Sequence, residues 1–76
     1  MNIAIKKYRQ KMDLTMKGFG DKIGLSEASV SRLEAGKQGM TIDLAKRIET
    51  VTGIPARVWA FPEQSTDHPL LQGEGL

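Results

Sequence analysis

Apolar residues on both sides of Gly24 constrain the fold of this 76-residue chain more than any other feature of its sequence. Phe19 and Ile23 precede the glycine at a four-residue interval, which places both on one face of an α-helix. Val30 and Leu33 follow it at a three-residue interval and share a face in the same way. Gly24 itself tolerates the positive φ that a tight turn requires. The sequence therefore predicts two short helices that pack together across a tight turn.

The same helical periodicity recurs along most of the chain. It predicts a first helix that ends at Asp13, a fourth between Thr41 and Gly53, and a short fifth that begins at Pro55 and ends at Trp59 or Phe61. Three residues stand where helix N-caps are expected: Thr15, Ser26 and Thr41. The predicted fold is all-α: a compact five-helix domain over residues 1–61. Residues 62–76 lack any periodicity and are predicted to be a mobile, flexible tail.

Charge is distributed unevenly between these two parts. The chain has 11 Lys and Arg and nine Asp and Glu, for a net charge of +2 at pH 7. All of the basic residues and six of the acids lie before residue 62, so the predicted domain carries +5. The predicted tail has three acids and no base. A basic domain followed by an acidic tail favours a polyanionic partner for the domain.

The residue types present exclude several classes of function. There is no cysteine, and the one histidine, His68, lies in the predicted tail, so neither a disulfide framework nor a metal site is expected. No apolar run approaches the roughly 20 residues that span a bilayer, and the first residues lack the apolar region of a secretion signal. We expect a cytoplasmic protein that is not an enzyme and that has no cofactor, no metal and no membrane partner.

The segment from Met16 to Ala35 has the layout of a helix-turn-helix: a short helix, a Gly-Leu-Ser turn and a second short helix. It resembles the lambda repressor/Cro-like (XRE) helix-turn-helix family of bacterial and phage regulators, and the resemblance extends from about Ile5 to Phe61. The similar stretches are Ile5–Arg9, Leu14–Ser26 and Val30–Lys37. The resemblance implies a five-helix domain that binds double-stranded operator DNA, usually as a homodimer on a near-palindromic site. Where the family often has a phosphate-binding glutamine, this chain has Met16.

Helical geometry selects the residues of the third helix that would contact DNA. At 100° per residue, Val30 and Leu33 define the buried face. The opposite face carries Ala28, flanked by Ser31 and Arg32, and Glu27 lies at the start of the helix. These four residues are the predicted base contacts. The guanidinium of Arg32 is suited to guanine O6 and N7, whereas a glutamate suits cytosine N4 and an alanine suits a thymine methyl group. Phosphate contacts are predicted for Thr15, Lys17, Ser26 and Lys37.

Structural interpretations compete with these assignments. Glu27 stabilises a helix start whether or not DNA is bound, and Arg32 could instead pair with neighbouring acids on a solvated face. Val58, Trp59 and Phe61 suit either the core or a dimer interface, and we predict that they contribute to a dimer interface.

An alternative function comes from a different class of protein. The segment Gly53–Trp59 resembles one that some antitoxins carry, so the chain could bind and neutralise a toxin-like protein and repress its own promoter. Leu70 and Leu71, the only apolar pair in the predicted tail, would then fold on that partner.

Overall fold

Five α-helices account for most of residues 2–71, the part of the chain that the computed structural model describes. The elements are α1 (Ile3–Met12), α2 (Met16–Ile23), α3 (Glu27–Ala35), α4 (Ile42–Thr52) and α5 (Ala56–Ala60), followed by single 3-10 turns at Pro62–Gln64 and Pro69–Leu71. No strand occurs within residues 2–71. The prediction of an all-α, five-helix fold is confirmed.

The helix boundaries follow from local chemistry. Three hydroxyl side chains each accept a hydrogen bond from the backbone N–H three residues later, at 2.9–3.1 Å, and so cap α2, α3 and α4: Thr15, Ser26 and Thr41. Gly24 and Gly36 end α2 and α3 with φ of 77° and 78°, in the left-handed region that a residue with a side chain rarely adopts. The predicted caps and the predicted turn glycine are confirmed.

Aromatic side chains from three helices meet at the centre of the core. Tyr8 contacts Phe19 and Trp59 edge to face, with ring centroids 5.8 Å and 5.6 Å apart. The indole N–H of Trp59 donates to the carbonyl oxygen of Ile54 at 3.2 Å, which satisfies its one polar atom. Asn2 caps α1 and also donates to the carbonyl oxygen of Trp59 at 2.8 Å. These contacts join α1, α2 and α5 into one core.

The structure corrects the prediction for the dimer residues. Val58 and Trp59 have no exposed surface, so neither side chain is available to a second copy of the chain. Both lie on the face of α5 that packs into the core, because a domain this small needs its largest side chains inside. Phe61 follows α5 and is 48% exposed. Of the three residues predicted for a dimer interface, only Phe61 presents a large exposed surface.

The segment predicted to be a mobile tail also differs from the prediction, as far as the structure describes it. Leu70 is 6% exposed, and its 3-10 turn packs on α1. Ser65 is buried and donates from its hydroxyl to the carbonyl oxygen of Arg57 at 3.1 Å. Arg57 also donates to both carboxylate oxygens of Asp67, at 3.1 Å and 3.2 Å. Part of residues 62–71 is therefore packed against the helices, and the rest of the predicted tail, residues 72–76, lies outside the described residues.

Candidate nucleic-acid interface

The crossing of α2 and α3 depends on the absence of a side chain at Gly20. A Cβ atom at this position would overlap the carbonyl oxygen of Leu25 and come within 3.3 Å of the Val30 side chain. The backbone N–H of Leu25 donates to the carbonyl oxygen of Gly20 at 2.9 Å, which fixes the turn against α2. This close approach sets the position of α3 relative to α2.

A largely buried ion pair holds α3 against α1. Arg9 donates from Nε and Nη2 to the two carboxylate oxygens of Glu34, and from Nη1 to the carbonyl oxygen of Leu14 at 3.0 Å. The two side chains are 16% and 10% exposed. The hydrogen bond with Glu34, assisted by the negative charge of its carboxylate, raises the pKa of Arg9 above the ordinary arginine value against the opposing effect of burial.

This ion pair was not predicted from the sequence. The available signal was a charge inside each apolar pattern: Arg9 lies four residues after Ile5 in α1, and Glu34 lies four residues after Val30 in α3. Positions four apart share a helix face, so both charges were placed on buried faces by the sequence itself.

The outer side of α3 is open to solvent. All four residues predicted to contact bases are exposed: Glu27, Ala28, Ser31 and Arg32. On the other side of the helix, Val30 and Leu33 are 0% and 1% exposed. The structure therefore brings the predicted base contacts together on one accessible surface, which we call the α3 outer face.

The guanidinium of Arg32 is held by neutral groups. Its Nε donates to the side-chain oxygen of Gln38, and its Nη2 donates to the hydroxyl of Ser29, both at 3.2 Å. These bonds differ from the pairing with acids that the sequence left open, because neither acceptor carries a charge. The positive charge of Arg32 is thus not neutralised by these contacts.

The four predicted phosphate contacts are also exposed: Thr15, Lys17, Ser26 and Lys37. Thr15 and Ser26 use a hydroxyl lone pair to cap α2 and α3, so both lie at helix N-termini, where backbone N–H groups favour anions. The Nζ of Lys17 lies 3.5 Å from a carboxylate oxygen of Asp21, and both side chains are largely exposed. Met16, which stands where the family often has glutamine, packs against the edge of the core.

A family model for helix-turn-helix proteins matches residues 5–59. The chain belongs to the lambda repressor-like (XRE) helix-turn-helix family. Its match covers all of α1–α4 except the first two residues of α1, and most of α5. No curated protein and no solved structure matches the chain significantly. Membership makes the chain a DNA-binding transcription regulator of the XRE type.

Within residues 2–71, no group of three or more histidine, cysteine, aspartate or glutamate side chains is arranged to hold a metal ion. None of the helices in the same range is both long enough and apolar enough to span a membrane. The α3 outer face is the surface of the described residues that brings the predicted base contacts together.

Proposed function

We propose that this helix-turn-helix regulator is a repressor that binds a near-palindromic operator as a homodimer, with α3 of each copy in the major groove. The observation that supports this most directly is the α3 outer face, which is exposed along the whole helix and has small Ala28 and Ser31 beside Arg32. A major groove about 12 Å wide admits one α-helix, and small side chains let that helix lie deep in it.

Base recognition in this proposal is divided among the side chains of the α3 outer face. Arg32 bonds to O6 and N7 of a guanine, because a guanidinium offers two parallel donors. Glu27 accepts from the N4 amino group of a cytosine, and Ala28 contacts a thymine methyl group. Ser31 bonds to whichever base edge lies next to it, since a hydroxyl both donates and accepts.

Phosphate contacts fix the register of α3 in the groove. The first backbone N–H groups of a helix have no partner within the helix, and at α2 and α3 the hydroxyls of Thr15 and Ser26 lie beside them. Lys17 and Lys37 add positive charge at exposed positions. Because such contacts release counterions from DNA, binding weakens steeply as the salt concentration rises.

Two-fold symmetry of the operator follows from dimerisation. Each copy places one α3 in one half-site, and the half-sites lie about 34 Å apart, one turn of DNA. We place the dimer contact around Phe61, whose ring is the exposed aromatic surface next to α5. Occupation of such a site within a promoter excludes polymerase and so represses transcription.

The structure bears on one form of the antitoxin-type alternative, in which the C-terminal segment binds the partner. That form needs Leu70 and Leu71 to fold on a toxin-like protein, but Leu70 is buried against the chain's own α1 and Leu71 is partly buried. The side chains expected to bind the partner therefore already serve the core of the regulator itself.

Substitution of Arg32 tests the proposal. We expect Arg32→Ala to lose discrimination at one base pair of each half-site by about 1–3 kcal/mol, with little change at the others. Arg57→Ala is the matched control, because it removes the same charge from a residue that contacts Asp67 rather than the α3 outer face. Binding of each variant to a set of single-base operator variants gives the comparison. An equal loss of affinity for every sequence in Arg32→Ala would contradict the proposed base contact.

A further inference from the structure

We infer that Gln38 and Ser29 are positioning residues for base recognition, which hold the guanidinium of Arg32 with one end free to read a guanine. The inference rests on the proposed function, because it assigns a role to residues that act through Arg32. Neither residue is among the predicted DNA contacts, and the sequence gives no reason to single them out.

Gln38 bonds to both the backbone and the side chain of Arg32. Its backbone N–H donates to the carbonyl oxygen of Arg32 at 3.3 Å, next to a second bond at 2.9 Å from the N–H of Lys37. Its side-chain oxygen accepts from Nε of the same arginine at 3.2 Å. The chain can return to Arg32 in this way because Gly36 reverses its direction with a φ of 78°.

Ser29 holds the guanidinium from the other direction. It lies one helical turn before Arg32, and its hydroxyl oxygen accepts from Nη2 at 3.2 Å. The same oxygen lies 3.2 Å from the hydroxyl of Ser26, whose own oxygen accepts from the backbone N–H of Ser29 as the N-cap of α3. The position of the Ser29 hydroxyl is therefore tied to the start of the helix.

These two bonds leave the donors needed for guanine. A guanidinium has five N–H groups, of which Arg32 uses Nε and one at Nη2. Within residues 2–71, Arg32 makes no side-chain hydrogen bond from Nη1, so both N–H groups of Nη1 and one of Nη2 remain available. Donors on a guanidinium can bond to O6 and N7 of one guanine together.

A comparison with Arg9 shows why the neutral acceptors matter. Arg9 donates to a carboxylate with Nε and Nη2 and to a carbonyl group with Nη1, is largely buried, and has a structural role. Arg32 is exposed and donates to an amide and a hydroxyl, which orient it without cancelling its charge. An arginine that is already oriented loses less side-chain freedom when it binds DNA, and affinity for the correct base rises accordingly.

The test uses Gln38→Met, which removes the hydrogen-bond acceptor and keeps a side chain of similar length. The control is Gln64→Met, at an exposed glutamine outside α3. The DNA affinity of each variant is measured on the operator obtained by selection from random duplex DNA. It is also measured on operators changed at the base pair that Arg32→Ala identifies. We expect Gln38→Met to lower discrimination at that base pair about three- to tenfold. Ser29→Ala should act in the same direction, and Gln64→Met should have no effect.

The same substitution in an Arg32→Ala background separates positioning from a structural role. If Gln38 acts through Arg32, Gln38→Met has no further effect on discrimination once the guanidinium is gone. A loss of affinity that is equal for all sequences, or one that persists in the Arg32→Ala background, would overturn the inference. Relaxation by Arg32→Ala together with unchanged discrimination in Gln38→Met and Ser29→Ala would overturn the positioning role alone. An Arg32→Ala variant that discriminates as the parent does would overturn the base contact and the inference together.

Discussion

Removal of Arg9 is expected to destabilise the fold more than any ordinary surface change. Arg9→Met keeps the apolar stem of the side chain but leaves the Glu34 carboxylate, 10% exposed, without its two donors. Breaking a buried pair by removing one partner costs about 3–5 kcal/mol. Because both side chains retain a little exposure, we expect the lower end, about 3 kcal/mol. A chain of this length has about 4–11 kcal/mol of stability in total, so this variant loses between about a quarter and three quarters of it.

Urea unfolding followed by the fluorescence of Trp59 measures this loss, because the chain has one tryptophan and it is buried. Lys17→Met is the control: it breaks the exposed pair with Asp21 and should cost less than about 1 kcal/mol. The double variant Arg9→Met, Glu34→Leu should be more stable than Arg9→Met alone, since no uncompensated charge remains. A cost below about 1 kcal/mol for Arg9→Met, or additive losses in the double variant, would refute the reasoning.

Two further predictions concern the segment after α5. Leu70→Ala should lower the free energy of unfolding by about 2 kcal/mol, because the side chain is buried against α1, and Leu71→Ala should cost less. The hydrogen bond from Arg57 lowers the pKa of Asp67. Since the folded-state pKa is the lower one, the pair stabilises the fold above the unfolded-state pKa and loses this effect as the pH falls through the folded-state pKa. An NMR titration of the Asp67 carboxyl carbon should therefore have a higher midpoint in Arg57→Gln than in the parent.

Each of these two predictions has a result that would contradict it. A Leu70→Ala variant with the stability of the parent would mean that the segment does not belong to the core. An Asp67 midpoint that does not move in Arg57→Gln would mean that the two side chains do not form a lasting bond in solution.

Most of the helix boundaries were predictable because they depend on neighbouring residues. Thr15 and Ser26 bond within one turn, and Gly24 adopts a conformation that its own lack of a side chain permits. The C-terminal segment was not predictable in the same way. The burial of Leu70 depends on α1, which lies some 60 residues earlier in the sequence, and a single 3-10 turn is too short to show periodicity.

The candidate interface was also only partly predictable from the sequence. The exposure of Ala28 and Arg32 followed from helical geometry alone, since both lie on the side of α3 away from its apolar face. The contact between Gln38 and Arg32 did not follow from that geometry, because Gln38 reaches Arg32 only through the reversal of the chain after α3. Val58 illustrates a further limit: the sequence was compatible with both a core position and an interface position, and only the packing distinguishes them.

The most direct test of the proposed function is selection of random duplex DNA on the purified protein at near-physiological salt. The account predicts enrichment of an inverted repeat whose half-site centres lie about one helical turn, or 34 Å, apart. Absence of any enriched sequence, with weak binding that depends steeply on salt, would mean that the basic domain binds DNA without reading its sequence and would contradict the account.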